Sequence, residues 1–357
     1  MTNLHFLHKP LGQSPWIDNV SRDLINSGKL HSYVEQGIRG LTSNPTILEH
    51  AILSSDLYDE QIKRLAFEGL STEAIYWRVV IDDIKSAAAI LMPVWDSSSG
   101  EDGYVSIEVS PALAHDAEAT LEQARYLWKE IDMNNIMIKV PATDECIPVV
   151  HTLLSEGINV NVTLIFSLSD YKKVAEAHAN THLLGDQNPA RSVASFFISR
   201  LDSEVDARLT SIGTEEALAL RGKTAIAQAR LAYDIFLDCF AKYLALEGHT
   251  SVVQRLLWAS TSTKNPEYDD LLYVTSLIAP YTVNTLPEAT IAGIIDHLPQ
   301  DAAAFRNKDL AVALDTIQAV RSVGIDMEDV LGVLEREGVE KFQTSFATLL
   351  NAIESKK

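Results

Sequence analysis

The chain has 357 residues, with 29 Lys and Arg against 49 Asp and Glu, a formal charge of −20. That excess of negative charge argues against a nucleic-acid binder or a basic membrane-surface module. Hydrophobic residues at 46% and charged residues at 22% fit a globular chain rather than a disordered one. Two cysteines, Cys146 and Cys239, are too few for a disulfide framework or a structural zinc site. Met1 to Gly12 lacks the apolar core and small-residue cleavage site of a secretory signal. No apolar run approaches the ~18 residues of a membrane span, and the longest candidate is Ala87 to Val94. These features predict a soluble, acidic, cytoplasmic globular protein.

Along the chain, short β-type runs recur with helical stretches between them. The runs are Pro15 to Asn19, Gly37 to Asn44 and Gly103 to Val109, followed by a helical pattern over Ala112 to Asp132. Next come Asn135 to Pro141 and Ile158 to Phe166, then a helix over Ser169 to His182. Ser192 to Arg200 precedes one long helical pattern from Glu215 to Glu247, and Val252 to Ser260 and Pro280 to Thr285 complete the set. The tail reads as two helices, Asp301 to Ser322 and Ser345 to Glu354. Thr143 before Asp144-Glu145, and Thr285 before Pro287-Glu288, read as helix caps.

Eight strands alternating with helices predict either a (β/α)8 barrel or a large doubly wound sheet. Strands covered by helices on both faces should be continuously apolar. Here polar residues alternate with branched apolar ones, as in Asn159-Val160-Asn161-Val162-Thr163-Leu164. A barrel interior holds such residues, so the α/β barrel fits better. No composition break marks a boundary, and residues 1–357 are expected to form one barrel domain with 300–357 as a helical extension packed on it.

Polar residues gather where these runs end: Asp18, Asn44, Glu108, Lys139, Asn161, Thr163, Ser195, Arg200 and Ser260. The carboxyl ends of barrel strands are where barrel enzymes place their chemistry. Lys139 is the sharpest signal, because it stands in the apolar run Ile136-Met137-Ile138-Lys139-Val140-Pro141. Desolvation lowers the pKa of an ammonium group, and a neutral lysine condenses with a ketone to form a Schiff base. A lysine that reaches out of the strand end, or pairs with a carboxylate, is the alternative. Asp18 and Glu108 could divide acid and base work, or serve as ion-pair partners of Lys139. Asn44, Asn161, Thr163 and Ser195 offer neutral groups suited to polyhydroxylated carbon chains. Arg200 and Lys264 could hold a phosphate, with solvated surface charge as the alternative.

Other signals carry less. There is no P-loop and no G-x-G-x-x-G motif after a strand. His178 and His182 are spaced for a metal on a helix but lack the intervening Glu of a zincin motif. Cys146, in the expected first helical turn after Thr143, could have its thiol pKa lowered there, with a buried or incidental cysteine as the default reading. The Glu215 to Glu247 pattern suits either an interaction helix or barrel packing.

Several long segments, in order, resemble the transaldolase family. They are Gly40-Leu41-Thr42-Ser43-Asn44-Pro45-Thr46, Ile138-Lys139-Val140-Pro141-Ala142-Thr143, Gly157 to Ser167, and Ala194-Ser195-Phe196-Phe197-Ile198-Ser199-Arg200-Leu201-Asp202. Trp258 to Pro266 and Val283-Asn284-Thr285-Leu286-Pro287 resemble the later motifs of its longer bacterial and plant branch. The resemblance runs from about Gly12 to Thr290, and the tail beyond Pro299 carries nothing diagnostic. It implies a (β/α)8 barrel that moves a dihydroxyacetone unit between sugar phosphates, without metal or organic cofactor. Sedoheptulose 7-phosphate and glyceraldehyde 3-phosphate would give erythrose 4-phosphate and fructose 6-phosphate, in the non-oxidative pentose phosphate pathway.

By the same resemblance, Lys139 is the Schiff-base lysine and Asp18 takes the proton from the donor's C4 hydroxyl. Glu108 and Thr163 handle a catalytic water. Asn44, Asn161 and Ser195 bind the dihydroxyacetone hydroxyls, while Arg200 and Ser260 hold the phosphate. Phe197 matches a position that is Phe in the transferases and Tyr in related fructose-6-phosphate aldolases. Ser262, Cys146 and Lys264 depart from the usual pattern, the last replacing a second arginine of shorter relatives. Sugar phosphates are the implied partners, with no nucleic acid and no membrane; family members are often dimers, so a homodimer is expected. An aldolase releasing free dihydroxyacetone, and a non-catalytic sugar-phosphate binder, are the competing readings.

Overall fold

Strands with apolar outer faces and mixed inner faces are buried on both sides when parallel pairing curls them into a ring under a coat of helices. The computed structural model, which describes residues 2–181, 190–245 and 253–357, has this arrangement. Strands β1 (Gln13–Ile17), β2 (Leu41–Thr42), β3 (Val105–Glu108), β4 (Ile136–Pro141), β5 (Val160–Ile165), β6 (Ser192–Phe197), β7 (Arg255–Ala259) and β8 (Thr282–Leu286) form a closed barrel in sequence order. Every pairing is parallel, and β8 closes on β1 through Gln13↔Thr282 to Ile17↔Leu286. The expected (β/α)8 architecture is therefore what the chain adopts.

β2 is much shorter than the expected run over Gly37 to Asn44. The chain ahead of it passes tightly over the fully buried Trp16: a Cβ on Gly40 would stand 2.4 Å from the indole ring. After it, Asn44 turns the chain into the helix Pro45–Leu53, accepting from the Ile47 amide (3.0 Å) with Pro45 opening the first turn. Gly40→Ala is expected to destabilise the barrel by roughly 3 kcal/mol, since neither a ring nor a backbone in a packed core can yield that far. A thermal melt within about a degree of the parent would contradict this.

Two helical expectations change. The pattern from Glu215 breaks into Glu215–Leu218 and Thr224–Leu244, with Gly222 at φ +70° between them. Asp206 and Asp202 of the preceding helix, Ser199–Ile212, hold the break by accepting from the Gly222 and Ala225 amides. The expected limits Glu247, Val252 and His182 lie outside the described residues. The final helix runs from Met327 to Lys356, far longer than the expected Ser345 to Glu354. Its buried stripe includes Leu334, Gly338, Phe342, Phe346 and Leu349, and the glycine in that stripe hides the helical period.

The expected caps also fall elsewhere. The helix Ile147–Ser155 starts without a side-chain cap, and Thr143 Oγ1 instead donates to the Ala114 carbonyl. Thr285 Oγ1 likewise donates to the Trp258 carbonyl and leaves Glu288–His297 uncapped. Both threonines are buried, so they bond to neighbouring strands and loops rather than to their own helices. Cys146 is buried just ahead of its helix, and burial raises its thiol pKa instead of lowering it.

The two helices of the tail pack on the barrel coat. Asn307–Ser322 lies against Thr224–Leu244, and Met327–Lys356 against Pro45–Leu53, Ser199–Ile212 and Thr72–Ser97. No helix among the described residues is long and apolar enough to cross a membrane.

Candidate active site

The strand pleat sends alternate side chains inward, and in β1, β3 and β6 these form layers. At the amino ends, Ser14, Trp16, Tyr104, Met137, Val193 and Arg255 line a cavity of about 280 Å³. The charge there is internally matched. Asp102 accepts from Ser14 Oγ, Trp16 Nε1, Arg39 Nε and Arg255 Nη1. Burial alone would raise its pKa, but Arg255 and Arg39 outweigh that and hold it below the usual range. This end is a structural ion network.

The carboxyl ends differ. Asp18, Thr42, Asn44, Lys139, Thr163, Ser195, Phe197, Arg200, Ser260, Thr285 and Phe342 surround a cavity of about 80 Å³. Lys139 is the centre of this group and is only 5% exposed. Its Nζ donates to the Ser43 carbonyl (3.0 Å) and lies 3.4 Å from Glu108 Oε2. Strand register sets this up, since Glu108 pairs with Lys139 across β3 and β4, and Lys139 with Asn161 across β4 and β5.

Glu108 is buried below the cavity wall. Loss of hydration pushes its pKa up, against the opposing pull of Lys139. Thr163 Oγ1 finds no hydrogen-bond partner among the described residues, and Glu108 Oε2 has only its ion pair with Lys139. Asp18 stands just past β1 and accepts from Thr42 Oγ1 (2.8 Å). Burial raises its pKa, again against Lys139. The site thus has two carboxyls biased toward holding a proton beside one amine.

Asn161 is completely buried and is not on the cavity wall. It accepts from Ser195 Oγ (2.7 Å) and donates to Ser106 Oγ (3.0 Å), so it orients Ser195, which does reach the cavity. Phe197 lies beside Phe166 at 5.1 Å between centroids, and the Arg200 guanidinium covers its other side at 5.1 Å.

Arg200 does not belong to a strand. β6 ends at Phe197, and Arg200 sits in the first turn of Ser199–Ile212. Ser260 follows β7 in the left-handed region at φ +59°, a strained position for serine. It is held there by Ser199, whose amide donates to the Ser260 carbonyl (3.0 Å) and whose hydroxyl meets Ser260 Oγ (2.9 Å). Those bonds fix the loop after β7 against the helix that carries Arg200. Lys264 is further out and exposed, donating to Ser262 Oγ (2.7 Å).

Four contributors escape sequence reasoning. Ser43 supplies a carbonyl to Lys139 and Thr42 a hydroxyl to Asp18. Both fall in the quoted Gly40 to Thr46 segment, and Thr42 shares the alternation of Asn44. Thr285 is the inward residue of β8, misread as a cap. Phe342 comes from the tail helix, where no local pattern marks it. The Arg200 guanidinium also lies over the Phe342 ring at 5.5 Å. Among the described residues, no group of three or more His, Cys, Asp or Glu is placed to hold a metal.

The family described as Transaldolase/Fructose-6-phosphate aldolase matches residues 15–353. A transaldolase of Thermobifida fusca is 46% identical over 351 residues, covering 96% of this chain and 95% of that protein. A transaldolase of Mycobacterium tuberculosis is 44% identical over 350 residues, covering 95% of this chain and 93% of that one. A transaldolase of Mycobacterium marinum is 44% identical over 355 residues, covering 96% and 94%.

Proposed function

This chain belongs to the transaldolase/fructose-6-phosphate aldolase family, and from that premise we propose how its own residues carry out the reaction. Its activity is that of a transaldolase, acting on sugar phosphates. The observation that carries the mechanistic reading is the buried Lys139 held 3.4 Å from Glu108, with the unpartnered Thr163 hydroxyl on the next strand.

Lys139 attacks the C2 carbonyl of the ketose phosphate as a neutral amine. Glu108, whose burial favours the protonated carboxyl, accepts the ammonium proton. The carbinolamine then loses water to give a protonated imine. Glu108 and Thr163 bind and activate that water in both directions, which gives the unpartnered Thr163 hydroxyl a use. Asp18 next removes the proton from the C4 hydroxyl. The C3–C4 bond breaks, the aldose phosphate leaves, and the electron pair enters the imine as an enamine. An incoming aldose phosphate accepts the enamine carbon while Asp18 returns the proton, and hydrolysis frees Lys139.

The neutral groups orient the three-carbon unit. Ser195 presents its hydroxyl with Asn161 behind it. Asn44 Oδ1 is committed to its helix cap, so Nδ2 is the group available to a hydroxyl. Arg200 and Ser260 take the phosphate, supported by the positive end of Ser199–Ile212, whereas Lys264 does not line this cavity. The remaining parts of the proposal are a role in the non-oxidative pentose phosphate pathway, a cytoplasmic location and a homodimeric state.

The test is trapping. Incubation with fructose 6-phosphate followed by borohydride should leave a reduced adduct on the Lys139 peptide, seen by mass spectrometry; an unmodified Lys139 would sink the covalent reading. Phe197 sets the fate of the enamine, because its ring carries no hydroxyl to position a protonating water. Phe197→Tyr is expected to raise the release of free dihydroxyacetone without an aldose acceptor, while lowering transfer. Unchanged partitioning would remove Phe197 from this role.

A further inference from the structure

Beyond the inner cavity a wider cleft of about 640 Å³ opens between Ser199–Ile212, the loop after β7 and the tail helix. Arg200 and Ser260 line both spaces and so stand at their junction. Lys264 and Lys341 line the cleft but not the inner cavity. Neither lysine forms an ion pair among the described residues, although Glu337 and Glu340 share the cleft walls. Glu204, also on the wall, is taken up by Arg208. Partial desolvation of its ammonium group at the cleft wall, and then the nearby charges of Lys341 and Arg200, lower the Lys264 pKa. The cleft wall carries three cations, Arg200, Lys264 and Lys341, against Glu204, Glu337 and Glu340, so in a chain of net charge −20 it is a locally balanced surface facing an open space.

Lys341 is held in place by its neighbours. Phe342 is buried against the inner cavity. One turn back, Gly338 lets the helix approach the barrel mouth so closely that a Cβ there would stand 3.3 Å from Leu164 and Phe166. The cation therefore sits on a well-anchored surface rather than on a free segment.

We infer that this cleft is a second, more distant seat for the substrate phosphate, with Lys264 and Lys341 as its cations, and that the longer ketose phosphate uses it. The inference rests on the reading above, in which the C2 carbon of every donor is fixed at Lys139. With that atom fixed, each added carbon carries the phosphate further outward. A six-carbon donor reaches Arg200 and Ser260 at the junction, and a seven-carbon donor passes them into the cleft. By microscopic reversibility the acceptors divide in the same way: erythrose 4-phosphate, which becomes the seven-carbon product, uses the outer seat, and glyceraldehyde 3-phosphate the inner one.

The experiment measures kcat/KM for each donor in Lys341→Ala, Lys264→Ala and Lys341→Arg, because in a two-stage transfer this ratio reports only the donor's own half-reaction. Either alanine variant should lose about tenfold toward sedoheptulose 7-phosphate, the effect of one charge-assisted contact, mostly through KM. The loss toward fructose 6-phosphate should stay within about threefold, and Lys341→Arg should restore the seven-carbon donor. Equal losses for both donors would show one shared seat and overturn the inference, as would no loss for either. Borohydride trapping of unphosphorylated dihydroxyacetone at Lys139 is run in parallel. It should be unchanged in every variant, and its failure in the parent protein would overturn the covalent mechanism itself.

Discussion

Lys139→Ala should abolish turnover, with a loss on the order of 10⁶-fold in kcat, the scale seen when a covalent nucleophile is removed from an enzyme. No group close to Lys139 can take its place, because its neighbours at the cavity are carboxyl, hydroxyl and amide groups and Arg200 remains protonated. The adduct on the Lys139 peptide should vanish with the activity. Removing the amine also strips Glu108 of its opposing charge, so the already raised carboxyl pKa should rise further and leave a neutral, buried acid. That neutralisation limits the damage to folding. The variant should remain folded by circular dichroism, and Lys139→Met, which keeps most of the side-chain volume, should be at least as stable. Residual turnover within about 100-fold of the parent would remove Lys139 from the covalent role.

Asp18→Asn should lower transfer by about 10²–10⁴-fold, the usual contribution of a positioned acid–base group, while leaving the first covalent step intact. Borohydride should still capture the Lys139 adduct from fructose 6-phosphate, and the trapped mass should be the uncleaved six-carbon species. Loss of trapping would place Asp18 in imine formation instead. The pH behaviour supplies a second readout. Asp18 must be ionised to act as a base, and burial raises its pKa above the ordinary 3.8. The acid limb of the parent's kcat profile should follow that raised value and disappear in the variant.

Stability should move in the opposite direction. A carboxyl whose folded pKa is raised costs nothing below the ordinary value, and its burial opposes folding increasingly as pH rises through the folded pKa. Asp18→Asn should therefore gain thermal stability at neutral pH, with the gain fading as the pH falls through the raised folded pKa and gone by about pH 4. A variant less stable than the parent at pH 7 would mean that the Thr42 hydrogen bond, and not desolvation, governs this carboxyl.

Much of the site is legible along the chain because a strand's period is short. In Asn161-Val162-Thr163 the alternation itself marks which side chains enter the barrel, and the structure places both polar residues inside. Register could not be read that way. The pairing of Glu108 with Lys139, and the displacement of Asn161 from the wall to a position behind Ser195, depend on how neighbouring strands align. Arg200 was read as a strand residue because the apolar run Phe196-Phe197-Ile198 continues the β pattern, whereas Ser199 and Ser260 bond to each other and turn the chain into a helix.

The sequence by itself determined the fold class and marked Lys139, Asp18 and Glu108 as residues that meet at the carboxyl ends of the strands, because each depends on local composition, apolar alternation or a contiguous motif. Only the tertiary structure decided that the tail helix supplies Phe342 to the cavity and Lys341 to the outer cleft. Just over 200 residues separate them from Lys139, and Gly338, which gives the helix its close approach, weakens the very period that would have announced it. A contact made by packing one distant element over another leaves no signature in either segment alone, and the outer end of this cavity is built from such contacts.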